Sequence, residues 1–341
     1  MDHPVLSQFT RRAMATEFVV MLPGIVGPNA EKAVLALAEV DAIESNLSIY
    51  RPNSDISRLN QHAGQGPVKI SADAAEILAR AIELSRLTDG AFDATAGPLV
   101  EAWGFTKRQG QKPPDSVIAE AAARVGYKKL KVDVAAQTAE LLEPGMSVNL
   151  GAIGKGFAID KVAASLRAGG VTDFLIHSGK SSVLASGDDL PGSGLGWLVA
   201  IEHPLLVGER LGGLRLKDEA LGTSGSGKQF FHHRGKRLGH VIDPRTGWPA
   251  NEMLSLTVVT PNATDADSLA TGLFVMGWEP AVDSLRNFQT LASQVEAKTC
   301  RMVAVLPAER QVAVEIVCCG MEPGCWLDAS GAPVEVSEIR R

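Results

Sequence analysis

From Val171 to Asp243 the chain reads as one strand after another, with no helical period between them. VTDFLIHSG, SSVLASG, WLVAIEHP and GGLRLKDEALGTSG each read as a strand, and QFFHHRGKRLGHVID reads as a hairpin turning at Arg234-Gly235. A doubly wound parallel sheet needs a helix between successive strands, so this run excludes it and favours an α+β fold. Helical spacing is clear elsewhere. Ala30 to Asn46 carries apolar residues at Val34, Leu37, Ala38 and Ile43, running on to Leu47. Ala72 to Thr88 has Ser71 or Asp73 at its start and Gly90 beyond its end. Phe157 to Leu166 is closed by Gly169-Gly170, and Ala266 to Met276 follows the buried strand LSLTVVT. Glu17 to Leu22 reads as a further strand, and KKLKVD and TAELLE as a strand pair. SIYRPNSDISRLN reads as a polar stretch with a turn at its Arg-Pro-Asn-Ser, and DGAFDATAGPLVEAWGF as a tight loop. No repeat, low-complexity segment or linker divides the 341 residues.

Charge excludes some functions. The net charge is −6, and the densest basic stretch, Lys228 to Arg237, is short and reads as a solvated hairpin, so no nucleic-acid partner is expected. No apolar run approaches the roughly 20 residues that span a bilayer. MDHPVLSQFTRRAMATEF lacks an apolar h-region and a cleavage site, so the chain as written is expected in the cytoplasm. A chain trimmed of its leader would look the same, and would then belong to a periplasmic or membrane-anchored protein. Cys300, Cys318, Cys319 and Cys325 form no CxxC pair and are expected to be reduced packing residues; the scattered histidines do not suggest zinc.

Three distant segments carry chemistry. SVNLGAIGKGFAIDK (147–161) reads as a strand entering a glycine-rich turn and leaving as a helix. Gly151, Gly154 and Gly156 let backbone amides approach an anion, the helix start adds its positive end, and Lys155 adds a full charge. The same glycines also serve plain strand-to-helix turns. In TDADSLATGLFVMG (264–277), Asp267 and Thr271 stand at i and i+4, so both oxygens fall on one helix face. Carboxylate, hydroxyl and a nearby carbonyl suit Mg²⁺, although Thr264, Asp265 and Asp267 equally suit a capped helix start. In GHVIDPRTGWP (239–249) a stiff Asp-Pro-Arg-Thr-Gly turn can present His240 or Arg245, or can simply close a hairpin. His240 titrates near working pH and can exchange a proton.

Taken together, AMATEF (13–18), SDISRLN (54–60), DGAFDATAGPLVEAWGF (89–105), NLGAIGKGFAID (149–160), GHVIDPRTG (239–247) and DADSLATGL (265–273) resemble the ApbE family of FAD:protein FMN transferases. The resemblance runs from about residue 12 to 278. It implies one large α+β domain over 1–341, with mixed sheets flanked by helices and an FAD cleft; residues 279–341 would complete that domain. It also implies a Mg²⁺-dependent transfer of the FMN half of FAD to a Thr or Ser hydroxyl of a target flavoprotein, with release of AMP. The metal ligands it implies are the Ala152 carbonyl and the side chains of Asp267 and Thr271. The FAD site would take Met14, Asp93, Lys155, Asp160, Thr223, Ser224 and His240, with Arg245 and Thr246 shaping the turn beside it. His240 and Asp267 both stand as candidates for the base that takes the hydroxyl proton. Such a reaction needs charge neutralised on the pyrophosphate and a hydroxyl held in line.

The chain departs from that pattern at three places. Asn149 stands where the family often has Asp, Lys180 where it has Gly, and Ser226 where it often has Asp. A FAD pyrophosphatase and a non-catalytic FAD-binding protein are the alternatives; a large cation at 180 favours the latter by obstructing the cleft. The sequence leaves the oligomeric state open.

Overall fold

The computed structural model describes residues 5–25, 27–107, 110–225, 230–233, 236–292, 300–308, 314–321 and 325–328. Ser226 and the Arg234-Gly235 turn lie outside the described residues. In chain order the elements are β1 (Leu6–Ala13), β2 (Thr16–Pro23), α1 (Pro28–Leu47), α2 (Asp55–Gln61), β3 (Val68–Lys69), α3 (Ala72–Leu87), α4 (Gly97–Ala102), α5 (Asp115–Ala123), β4 (Leu130–Asp133) and β5 (Thr138–Leu141). There follow α6 (Gly154–Ala168), β6 (Phe174–Ser178), β7 (Ser182–Ser186), β8 (Trp197–Glu202), β9 (Arg210–Leu216), β10 (Glu219–Gly225), β11 (Phe230–His233) and β12 (Lys236–Gly239). The chain continues through β13 (Ser255–Thr260), α7 (Ala263–Met276), α8 (Trp278–Ala292), β14 (Arg301–Pro307), β15 (Val314–Cys319) and β16 (Trp326–Leu327).

Eight strands form a central sheet in the order β1-β2-β6-β7-β10-β13-β14-β15, and every pairing in it is antiparallel. Side chains alternate across this sheet with period two. Phe174 and Ile176, Leu184, Ala220, Leu256 and Val258, and Met302 and Ala304 face a core shared with α1, α3, α6 and α7. Leu175, Val183, Leu221, Val259 and Val303 face the other way, onto a three-stranded sheet ordered β16-β9-β8. The result is helices, large sheet and small sheet in three layers, which is why β7 and β13 are buried along their whole length. A third cluster, Leu99, Trp103, Phe105, Ile118, Leu238 and Ile242, fixes α4 and α5 against β12.

The α+β reading and most strands and helices stand. Several local readings change. The polar stretch after α1 contains α2, whose N-cap Ser54 accepts the Ser57 N–H at 3.0 Å. The tight loop at 89–105 contains α4. Residues 147–150 are not a strand: Ser147 makes one isolated bridge to Ala96. GGLRLKDEALGTSG is two strands that part company, β9 joining the small sheet and β10 the large one. The break falls at Asp218, whose φ of 55° is left-handed. The cysteines are unbridged; Cys318 is buried and packs between the sheets. No helix among the described residues is long and apolar enough to cross a membrane.

Candidate active site

A cleft of about 770 Å³ opens where the central sheet, the start of α6, α7 and the small sheet meet. Its floor is built by two helices that cap each other. No side chain of its own caps α6, and its first turn holds no acid. The missing acceptor comes from α7: Asp267 Oδ2 accepts the Gly156 N–H at 2.9 Å and the Lys155 ammonium at 3.2 Å. In return Asp160 of α6 accepts the N–H groups of Ala263 and Thr264, each at 2.8 Å, at the start of α7. Negative charge at a helix N-terminus is favoured by the dipole and satisfies orphan donors. Asn262 completes the α7 cap by accepting the Asp265 N–H at 2.8 Å.

Two glycines allow this contact. A Cβ on Gly156 would lie 2.1 Å from the Ala263 carbonyl oxygen, and one on Gly222 of β10 would lie 2.3 Å from that of Ala266. Only bare backbone fits, so α7 is pressed against both α6 and the sheet. That brings Ser182 of β7 to Asp267, whose Oδ1 accepts its hydroxyl at 2.6 Å. One helical turn on, Thr271 Oγ1 lies 2.8 Å from Ser224 Oγ of β10 and donates to the Asp267 carbonyl at 3.2 Å. Arg80 of α3 grips Asp265 with two bonds of 2.8 and 2.6 Å, fixing α7 from behind.

The walls come from separate loops. Asn149 accepts the Gly151 N–H at 2.9 Å and shapes the glycine-rich turn. Asp93 accepts from the Thr95 backbone and hydroxyl and from the Tyr127 N–H, each at 2.7 Å. Burial pushes its carboxyl upward from the ordinary range, with those hydrogen bonds opposing. The Asp243 turn is locked: Asp243 takes Arg245 Nε at 2.9 Å, and Trp103 Nε1 donates to the Gly247 carbonyl at 2.9 Å. It presents His240, edge-on to Phe105 with ring centroids 6.3 Å apart, to the cleft.

Of the residues singled out from sequence, Asp93, Ala152, Lys155, Thr223, Ser224, His240, Asp267 and Thr271 line this one cleft. Met14, Asp160, Arg245 and Thr246 are not among its lining residues. Met14 sits in the β1–β2 turn with a left-handed φ of 50°, its N–H donating to Glu44 at 2.8 Å. Asp160 is spent on capping α7, and burial pushes its carboxyl upward. Arg245 is spent on Asp243, and Thr246 accepts the Trp248 N–H at 3.2 Å. Sequence reasoning missed Ser182 and the wall formed by Glu202 and His203 at the end of β8. His203 Nδ1 accepts the N–H groups of Leu205 and Leu206, at 3.1 and 3.2 Å, and so folds the following loop over the mouth.

The donor set suits a hard cation. Among the described residues no cluster of three or more His, Cys, Asp or Glu exists to cage a metal. One carboxylate, one hydroxyl and a carbonyl-bearing turn, from Asp267, Thr271 and Ala152, line the same cleft instead, a donor set compatible with Mg²⁺ that keeps waters and takes phosphate oxygens.

The sequence model of the ApbE family matches residues 14–295. FAD:protein FMN transferase of Haemophilus influenzae is 37% identical over 257 residues, covering 72% of this chain and 73% of its own. The Escherichia coli K12 protein of the same name is 32% identical, covering 81% of this chain and 80% of its own. Among solved structures, the flavin transferase ApbE from Vibrio cholerae superposes with a TM-score of 0.75 at 26% identity, over 92% of this chain and 97% of that one. The ApbE protein from Thermotoga maritima gives 0.78 at 26% identity, over 91% and 96%.

Proposed function

Because this chain belongs to the ApbE family, we propose that it is a FAD:protein FMN transferase, moving the FMN half of FAD onto a Thr or Ser hydroxyl of a target flavoprotein and releasing AMP. What carries the reading is the convergence of Lys155, Asp267 and Thr271, from segments more than a hundred residues apart, on the floor of one cleft. The cleft volume falls within the ~300–1,000 Å³ usual for small-molecule sites.

In this reading Asp267, Thr271 and the Ala152 carbonyl hold Mg²⁺, which when bound neutralises charge on the pyrophosphate. Lys155 turns its ammonium from Asp267 to a phosphate oxygen. The backbone amides of the glycine-rich turn orient the same phosphates. Thr223, Ser224 and the Asp243 turn hold the dinucleotide in line with the incoming hydroxyl. His240 accepts the hydroxyl proton as the bond to the FMN phosphorus forms and its bond to the bridging oxygen breaks, AMP leaving with that oxygen. Asp160 acts by positioning: it seats the α7 N-terminus and with it Asp267.

The test is incubation with FAD and Mg²⁺, with and without a Thr-containing acceptor domain, following AMP release and acceptor mass together. The expected result is an acceptor mass gain equal to FMN, lost on chelation and lost in Asp267→Ala. AMP without a mass gain across acceptors would replace transfer by hydrolysis. Tight FAD binding without AMP would leave a flavin-binding protein.

A further inference from the structure

We propose that Lys180 is an anion-capturing residue at the mouth of the cleft, held in reserve by Glu202 and taken over by the phosphates of the bound dinucleotide. The proposal rests on the reading of the cleft as a FAD site.

Lys180 occupies a costly position. Ser181 N–H donates to the Ser178 carbonyl at 3.3 Å, closing a turn between β6 and β7 whose central residues, Gly179 and Lys180, have φ of 57° and 64°. Such a turn favours Gly or Asn at both places, and a long side chain there carries strain. Burial does not offset the strain, because the Lys180 side chain is 70% exposed. Nothing in the hairpin's own packing calls for a lysine.

Its contacts point to the cleft instead. Lys180 Nζ lies 2.8 Å from Glu202 Oε1, and both residues line the cleft. The pair spans two walls: Lys180 is on a hairpin tip of the central sheet, Glu202 at the end of edge strand β8 of the small sheet. Glu202 is also 47% exposed, and ion pairs this open to water contribute little and exchange readily. Among the described lining residues the other lysine is Lys155, already set against the buried Asp267 on the floor. A pyrophosphate brings more negative charge than one carboxylate, so it competes for Lys180 on better terms than Glu202 does. Lys180 thus guards an open mouth and does not plug it.

The experiment measures FAD affinity by flavin fluorescence in EDTA, so that no turnover intervenes. Glu202→Gln should tighten FAD binding roughly twofold to fivefold by freeing the ammonium, and Lys180→Met should weaken it by a similar factor. Glu202→Gln should have no effect when added to Lys180→Met, and its gain should shrink in 0.5 M salt. Lys180→Gly should weaken binding while holding or raising Tm, a divergence that a purely structural latch would not give. If Glu202→Gln weakens FAD as Lys180→Met does, the pair is a brace and the proposal fails. Unchanged affinity in all variants overturns it too. A wild-type protein that binds no FAD at all would overturn the functional reading first, and this proposal with it.

Discussion

Asp267 is 5% exposed, yet it is supplied with donors of three kinds: a backbone N–H, a serine hydroxyl and an ammonium. That is how a carboxylate is held buried at the bottom of a cleft. His177 of β6 is the opposite case. Its Nδ1 is buried with no hydrogen-bond partner in the described structure, and burial depresses its pKa below the ordinary 6.5, with Glu17 opposing. The fold therefore disfavours protonation of this imidazole relative to the unfolded chain, where it titrates near the ordinary 6.5. Stability from this group is full above that pH and is lost as pH falls through and below it. Urea midpoints measured from pH 8 to 5 should fall more steeply for the wild type than for His177→Phe; parallel curves would refute the assignment. At this scale the sequence was most legible where a residue sits inside a contiguous motif, as Lys155, His240, Asp267 and Thr271 do. It was silent on Ser182 and Glu202, and it gave no sign that Asp160 caps α7. Each owes its role to a partner across the fold: Ser182 meets Asp267 85 positions on, and Asp160 meets Ala263 103 positions on.

Helices α6 and α7 show how elements divide the work. Asp267 of α7 supplies the acid that the α6 start lacks, and Asp160 of α6 takes two further N–H groups at the α7 start beside its own Asn262 cap, so the two starts support each other. The contact is closed by glycine, and it has no room for a methyl group. Gly156→Ala or Gly222→Ala should cost about 1–3 kcal/mol through overpacking. Because the strain pushes α7 outward and Asp267 rides on α7, turnover should fall well beyond what the lower urea midpoint explains. Wild-type stability together with wild-type turnover in both variants would refute this account of the crossing. Helices α1, α3, α6 and α7 were legible because a 3.6-residue period accumulates over several turns, whereas α8, of 15 residues, went unread. Helices α2 and α4, of seven and six residues, are too short for that. The split between β9 and β10 was hidden because Lys217-Asp218 looks like ordinary polar strand sequence, and Asp tolerates the left-handed turn there with little outward sign.

Across the whole molecule, the large sheet is buried from both sides, so its stability depends on the small sheet as much as on the helices. Trp326 of β16 lies on β9 at Gly212, where a Cβ would come within 2.5 Å of the indole, and it packs with Trp197 and Leu214 between the sheets. Trp326→Ala should cost about 3–5 kcal/mol. If 1–341 is one domain, as we propose, the loss should appear as a single shifted unfolding transition; two separate transitions would argue for two domains. The sequence assigned residues 279–341 to the same domain but to no sheet, because the partners of β14, β15 and β16 are set only by tertiary pairing. The parting of β9 from β10 has a consequence for how such proteins diversify. The cleft floor is carried by the central sheet and its helices, whereas the lip formed by β8 and the loop at 203–208 belongs to the small sheet. Insertions or substitutions in that lip can change which molecules are admitted without disturbing the groups that do the chemistry. Recognition and catalysis are thus free to evolve on separate parts of the same scaffold.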